Sequence, residues 1–323
     1  MGKHTITLMG FGLLLLVMIT AVVVAAQSPS SGLMVSQTIY DPSPQTVSAN
    51  TSKALDRVFE SINYDWPPAG QQTVPPLMLT QLPDDFGKVL QPNQRRELFL
   101  RALLPLVLIE NRRLQEQREL ANWLLEDDLP AEGSAMHTWL TTLAKQFRVR
   151  GNLQKQEARQ KLLIRLDVIP PALALAQAAI ETGWGSSRFA LEGNSLFGQW
   201  SFVKGSGLKP NQRDADATHL VASFPNLRAS VRAYMRNLNT GRAYHEFRTA
   251  RAQARKTGQA LRANDLAEHL HRYSQRGEAY VADLRRIIRS PSIARLTEAS
   301  LARVNPAQSA TLNTRTKTEP LGS

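Results

Sequence analysis

The chain of 323 residues contains no cysteine. That absence excludes thiol nucleophiles, Cys-x-x-Cys redox pairs, cysteine-ligated zinc, iron–sulfur clusters and lipid-modified N-terminal cysteines. Also missing are a His-Glu-x-x-His pair, a Gly-x-Ser-x-Gly elbow, a P-loop and a dinucleotide-binding glycine motif. His269 and His271 are two apart, a spacing that puts their rings on different helix faces. Neither a metal nor a cofactor is therefore expected. Acidic side chains are in short supply, 27 Asp+Glu against 39 Lys+Arg, for a formal net charge of +12. Such a surplus predicts a polyanionic neighbour: nucleic acid, an anionic membrane face or an acidic wall polymer. With 42% hydrophobic and 20% charged residues, the chain has the composition of one large or two modest globular domains.

The first 26 residues choose among those neighbours. A short basic start, Lys3-His4, precedes 22 uncharged residues from Thr5 to Ala26, and Val24-Ala25-Ala26 offers small residues for cleavage. The apolar run is long for a signal peptide and just long enough to span a bilayer, so residues 1–26 read as a signal peptide or a membrane anchor. Either reading implies export past a membrane. Export argues against nucleic acid, a reading that would also want aromatics interleaved among the basic residues for stacking. Those helices carry fourteen Lys/Arg against five Asp/Glu between Arg228 and Arg289, a balance that suits solvated helix faces or an anionic wall and lipid surface.

Residues 27–90 are rich in Ser, Pro, Thr and Gln, lack apolar periodicity and read as a tether. Helical patterning starts near Pro92, where Leu98, Leu100, Leu103, Leu104, Val107 and Leu108 make an apolar stripe. Pro105 is expected to kink that stripe or split it in two. Residues 91–150 read as a helical N-terminal region, 151–290 as the catalytic domain and 291–323 as a disordered tail. Within the catalytic domain an irregular stretch, 184–227, holds five of the ten glycines and one plausible hairpin around Lys204–Phe224. The fold class expected is mainly α, with a small β lobe and extra helices in front.

The most informative segment is Pro170-Pro171-Ala-Leu-Ala-Leu-Ala-Gln177-Ala-Ala-Ile180-Glu181-Thr-Gly183-Trp184-Gly185. Pro171 suits a first helical turn. Every residue from Ala172 to Ile180 except Gln177 is apolar, so the helix is buried on nearly all sides, and the glycines stop it. Glu181 shares a face with Gln177, four residues earlier. A carboxyl in the last turn of a buried helix feels the negative end of the dipole and a low dielectric, and both favour its neutral form. A carboxylic acid that stays protonated near neutral pH is what cleavage of a glycosidic bond requires. The following Gly-Trp-Gly adds a flat aromatic, Trp184, of the kind that stacks on sugars.

Ala178-Ala-Ile-Glu181-Thr-Gly-Trp-Gly185, followed by Asn194-Ser-Leu-Phe-Gly198, resembles the signature of bacterial glucosaminidase domains. These are peptidoglycan hydrolases of the lysozyme-like superfamily. The wider match, over about 95–289, is to Bax-type proteins of Gram-negative bacteria. It is carried by Phe99–Leu108, Asp167–Gln177, Ser230–Asn239 and Gly277–Val281. The resemblance implies a lysozyme-like helical domain acting on peptidoglycan glycan strands, at the β-1,4 bond after N-acetylglucosamine. It makes Glu181 the general acid and Trp184 the floor of the site. The Asn194–Gly198 loop, with Asn194 and Phe197, would line the groove, and Tyr280 would lie near the acid or be a core aromatic. Gln177 and Trp200 complete the candidate substrate-binding set, Trp200 as a sugar platform or as core.

The second carboxylate departs from the family pattern. Asp214 and Asp216 are the only acids between Glu192 and Glu246. Either could orient the water, or both could sit on a solvated hairpin while the substrate's acetamido group assists. Rival readings are a lytic transglycosylase and a catalytically silent wall-binding protein. An amidase is disfavoured by the missing zinc site and thiol. The helices of 92–166 are either integral to the fold or a cover for the groove.

Overall fold

Eleven α-helices and five short strands make up the residues described by the computed structural model, which are 44–67, 73–89, 91–201, 203, 205–210 and 220–302. The architecture is mainly α, with a small sheet. The expected signal peptide or anchor lies outside the described residues, as do Asp214, Asp216 and the tail from 303. Among the described residues no helix is long and apolar enough to cross a membrane. The chain divides into two units, one of residues 113–166 and one built from 44–112 with 167–302.

The first strand, β1 (Gln45–Val47), and the first helix, α1 (Ser52–Ser61), fall within the 27–90 stretch read as a tether, and that reading is corrected for its described part, while 27–43 lie outside the described residues. Thr51 caps α1, its hydroxyl accepting from the Ala54 amide, and Leu55 and Phe59, one turn apart, are buried. β1 pairs in parallel with β2 (Leu77–Leu79), so Pro-rich linkers connect short elements that pack rather than a free leash. The predicted tail is corrected in the same way up to residue 302. A helical turn at Pro291–Ala294 buries Ile293, and Leu301 bridges to Val74.

Helix α2 (Pro92–Glu126) runs unbroken for 35 residues with Pro105 inside it, so the expected split does not occur. Proline removes one ladder hydrogen bond and costs about 3 kcal/mol in a helix interior. Here Leu103, Leu104, Leu106 and Val107 around it are fully buried, and burying such side chains returns roughly 1.5–3 kcal/mol each. Packing outweighs the local penalty. The helix begins in the larger unit and ends in the smaller one.

In the 113–166 unit, α3 (Ala135–Gln146) is capped by the Ser134 hydroxyl, and α4 (Gln156–Arg165) follows. Arginines tie its helix ends together: Arg159 donates to the carbonyls of Leu125 (2.7 Å) and Leu153 (2.8 Å), and Arg165 to that of Phe147 (2.9 Å). These bonds satisfy carbonyls that helix termini and turns leave open.

The larger unit is organised around α5 (Pro171–Thr182). Pro171 fills the first turn, nine of the twelve residues are buried, and the alanines let neighbouring helices approach closely. Packed against it are α9 (Ala263–Ala267), α10 (Glu278–Ile288) and α11 (Pro291–Ala294). The extended residues before α5 are held by side chains rather than by a sheet. Asn111 both donates to the Ile169 carbonyl (2.7 Å) and accepts from its amide (2.9 Å). Asn239, in α7 (Leu227–Thr240), donates to the Asp167 carbonyl (2.9 Å). From α8 (His245–Lys256), Arg251 reaches the Val168 carbonyl (2.9 Å), and Arg255 pairs with the buried Asp167 carboxylate (2.9 Å). The start of the Glu181 helix is thus fixed from three directions.

The lobe anticipated around Lys204–Phe224 is a three-stranded antiparallel sheet. β5 (Leu220–Ala222) lies between β3 (Trp200–Ser201) and β4 (Gly207–Leu208), with Val221 opposite both Trp200 and Leu208. Between α5 and this lobe sits one short helix, α6 (Arg188–Gly193).

Candidate active site

Glu181 occupies the last turn of α5, half-buried, and its chain reverses immediately afterwards. Gly183, Trp184 and Gly185 all have left-handed backbones, with φ of 56°, 60° and 80°. Gly183 closes the helix, its amide donating to the Ala179 carbonyl. At Gly185 a Cβ would stand 2.8 Å from Phe86 and 2.9 Å from Phe99, so only glycine lets the turn sit on those rings. Trp184 is half-buried, its ring edge-on to Phe99 at 6.1 Å and covered by the Arg96 guanidinium 5.3 Å from its centroid. Residues 92–112 of α2 therefore support the turn after Glu181 and belong to its unit.

A network of phenols surrounds the carboxyl. The Tyr280 hydroxyl acts on the carboxyl, favouring its charged form. That hydroxyl accepts from Gln177 Nε2 (2.9 Å), while Gln177 Oε1 accepts from the Tyr234 hydroxyl (2.7 Å). Tyr273 stacks on Tyr280 with centroids 5.6 Å apart, and Tyr244 leans on Tyr273 at 5.9 Å. Burial raises the Glu181 pKa, and the Tyr280 hydroxyl pulls it back in part, leaving it above the usual carboxylate value. Burial, and after it the Glu181 charge, push the Tyr280 phenol far up, so Tyr280 stays protonated and can only share its proton. The raised carboxyl foreseen from the apolar helix is present, and desolvation is the main cause.

The Asn194–Gly198 loop closes over this carboxyl. Asn194 ends α6 in a left-handed conformation and donates to the Phe224 carbonyl (3.1 Å). The Leu196 amide donates to the Ser230 hydroxyl (3.1 Å), and the Phe197 ring lies flat on Tyr234, 3.8 Å between centroids and 7° from parallel. Tyr273 donates to the Phe197 carbonyl (3.0 Å). The loop so held brings the Gly198 backbone against the acid: a Cβ at this position (φ 59°) would stand 3.1 Å from Glu181 Oε2.

The structure thus joins Glu181, Gln177 and Tyr280, with the Asn194–Gly198 loop beside them. Gln177, Phe197 and Tyr280 are only 0%, 2% and 1% exposed, so the expectation that they line a groove is corrected: they hold the acid and its loop from behind. Asn194 is half-buried and spends its amide on the loop. Trp200 stands 58% exposed on β3 and is not core. Sequence reasoning gave no site role to Tyr234, Tyr244, Tyr273, Ser230 or Gly198. A signal was available, since four of the chain's six tyrosines fall between 234 and 280. Among the described residues no group of three or more His, Asp or Glu could hold a metal ion.

With this geometry in view, comparison with known proteins is direct. Residues 156–292 match the glucosaminidase family, described as mannosyl-glycoprotein endo-beta-N-acetylglucosaminidase. The chain is 34% identical over 202 residues to the protein bax of Escherichia coli (strain K12), an alignment covering 61% of this chain and 69% of that relative. No solved structure matches with significance. The matched region spans the acid-bearing helix, the loop and all four phenols, and the chain belongs to the Bax-type family of glucosaminidase-domain proteins.

Proposed function

We propose that this protein is an exported peptidoglycan hydrolase that cleaves the β-1,4 bond after N-acetylglucosamine, with Glu181 as the general acid. The observation that carries the reading is the Glu181 carboxyl itself, half-buried at the end of an apolar helix, raised by desolvation and closed over by the Gly198 backbone. A neutral carboxyl there donates its proton to the glycosidic oxygen as the bond to the anomeric carbon breaks. Water then adds at that carbon, giving a reducing N-acetylglucosamine end. Activation of the water falls to Asp214, to Asp216 or to the substrate's own acetamido group, and single Asn variants at 214 and 216 separate these routes. Trp200, exposed on the β lobe, offers a face for stacking on a sugar. The basic charge favours an anionic wall. Residues 1–26 direct the chain to the periplasm or hold it at the periplasmic face of the inner membrane.

The test is a digest of purified peptidoglycan by the full chain, wild type beside Glu181→Gln, with the new glycan ends read by mass spectrometry. Reducing N-acetylglucosamine ends that vanish in the variant are the expected result. Anhydro-muramic ends would replace the reading with a lytic transglycosylase. Binding without cleavage by the wild type would make the protein a wall-binding module.

A further inference from the structure

We infer that Arg96, stacked on Trp184 in the turn after Glu181, is a substrate-binding residue that takes a carboxylate of the peptidoglycan strand. The inference rests on the reading of the protein as a peptidoglycan hydrolase. It adds the chemistry by which such a strand is told from a neutral polymer of N-acetylglucosamine.

Residues 86–99 form one wall of the turn that follows the acid. The Trp184 amide donates to the Ala179 carbonyl at 3.0 Å, so the indole leaves the chain within one helical turn of Glu181. Phe86 and Phe99 press on Gly185, and a Cβ on Gly87 would meet the Ser186 carbonyl at 3.5 Å. Arg96 stands on this wall with its guanidinium 5.3 Å from the Trp184 centroid. A flat aromatic at this place suits a sugar face. Here, with Phe99 edge-on at 6.1 Å and Arg96 over the ring, that side presents a guanidinium backed by an indole. Stacking leaves the in-plane N–H donors of a guanidinium available, and their fork matches a carboxylate.

The neighbouring charges are already engaged. Arg95 donates to the Val89 carbonyl (3.4 Å), and Glu97 faces Arg101 (3.6 Å). Arg96 is exposed, and among the described residues neither a hydrogen bond nor an ion pair engages it. It also lies outside residues 156–292, so this cation is brought to the turn by the region in front of the family domain. A glycan of N-acetylglucosamine alone is neutral. Peptidoglycan carries carboxylates on its peptides and, where a peptide has been removed, on the freed lactyl group. The overall surplus of Lys and Arg attracts such a strand at long range, and Arg96 sets one of those charges beside the acid-bearing helix.

The test uses the full chain as wild type, Arg96→Gln and Arg96→Lys. The substrates are soluble peptidoglycan strands with their peptides, strands stripped to free lactyl groups, and both after amidation of their carboxylates. Thermal melts establish that each variant folds. Arg96→Gln is expected to raise KM roughly tenfold on a carboxylate-bearing strand with kcat little changed. Arg96→Lys keeps the charge without the fork and is expected to recover part of that loss. Amidation is expected to bring the wild type to the level of Arg96→Gln, so that the substitution then adds nothing. A loss confined to strands with peptides makes a peptide carboxylate the ligand, and a loss on stripped strands makes it the lactyl group. Equal losses on charged and amidated strands, or no loss on any, would overturn the inference. Failure of the hydrolase reading shows separately, as binding without cleavage by the wild type. The same comparison is then made on Kd, with the same outcomes.

Discussion

Gly198→Ala probes the contact between loop and acid most sharply. The new methyl would sit 3.1 Å from Glu181 Oε2, at a backbone φ of 59°. Two separable effects follow. Forcing an L-residue into the left-handed region costs about 1–2 kcal/mol. In a unit of this size that lowers Tm by roughly 2–8 °C. The second effect is local: carboxyl or loop must shift by a few tenths of an ångström, and misplacing a catalytic group by about 1 Å can cost ~100-fold in rate. We expect kcat/KM on peptidoglycan to fall by roughly ten- to a hundredfold. Gly258→Ala is the control, for its φ is 66° and a Cβ there meets nothing within 4 Å. It should share the Tm loss and keep wild-type activity. Assaying both variants well below their melting temperatures separates the effects. Equal activities in Gly198→Ala and Gly258→Ala, with equal Tm losses, would refute the claim that the loop backbone is fitted to the carboxyl.

Two further outcomes follow from buried charge. Glu181 binds its proton more tightly folded than unfolded, so its contribution to stability is lost as pH rises from the ordinary carboxylate value through the raised folded one. Glu181→Gln should therefore be more stable than wild type above that window, with a flatter dependence of Tm on pH. A Tm difference that does not change with pH would count against the raised pKa. Asp167→Asn removes the carboxylate that pairs with Arg255 at 2.9 Å and lies 3.8 Å from the fully buried Arg251. Breaking such a buried pair typically costs 3–5 kcal/mol, and chemical denaturation should show a loss of about that size. A change under 1 kcal/mol would show that the ion cluster is not what secures the segment before α5.

The parts of this molecule that could be read from sequence are those governed by a local rule. A continuous apolar run from Ala172 to Ile180, opened by proline and closed by glycine, can only be a buried helix, and the acid at its end inherits a raised pKa from that burial. The residues from 45 to 90 obey no such rule. β1 and β2 are three residues each and pair across about thirty positions, and α1 shows its buried face in little more than Leu55 and Phe59. Composition therefore suggested a tether where the chain packs. Pro105 misled for the opposite reason: a strong local preference was overridden by fully buried leucines on every side. Around the acid, Glu181 and the loop were visible as motifs. The inward role of Gln177 was not, since a glutamine on an apolar helix reads alike whether it meets substrate or two tyrosines. Tyr234 and Tyr280 reach it from 57 and 103 residues away.

Those separations also set an order of events during synthesis. Glu181 leaves the ribosome about a hundred residues before Tyr280, and Asn239 and Arg251, which seat the base of its helix, arrive in between. A nascent or prematurely ended chain therefore holds the carboxyl without the phenol that tunes it or the side chains that seat it. The network around Glu181 is complete only once α10 docks, so a fragment cut short in this region keeps the motif bearing Glu181 but not the side chains that set its surroundings.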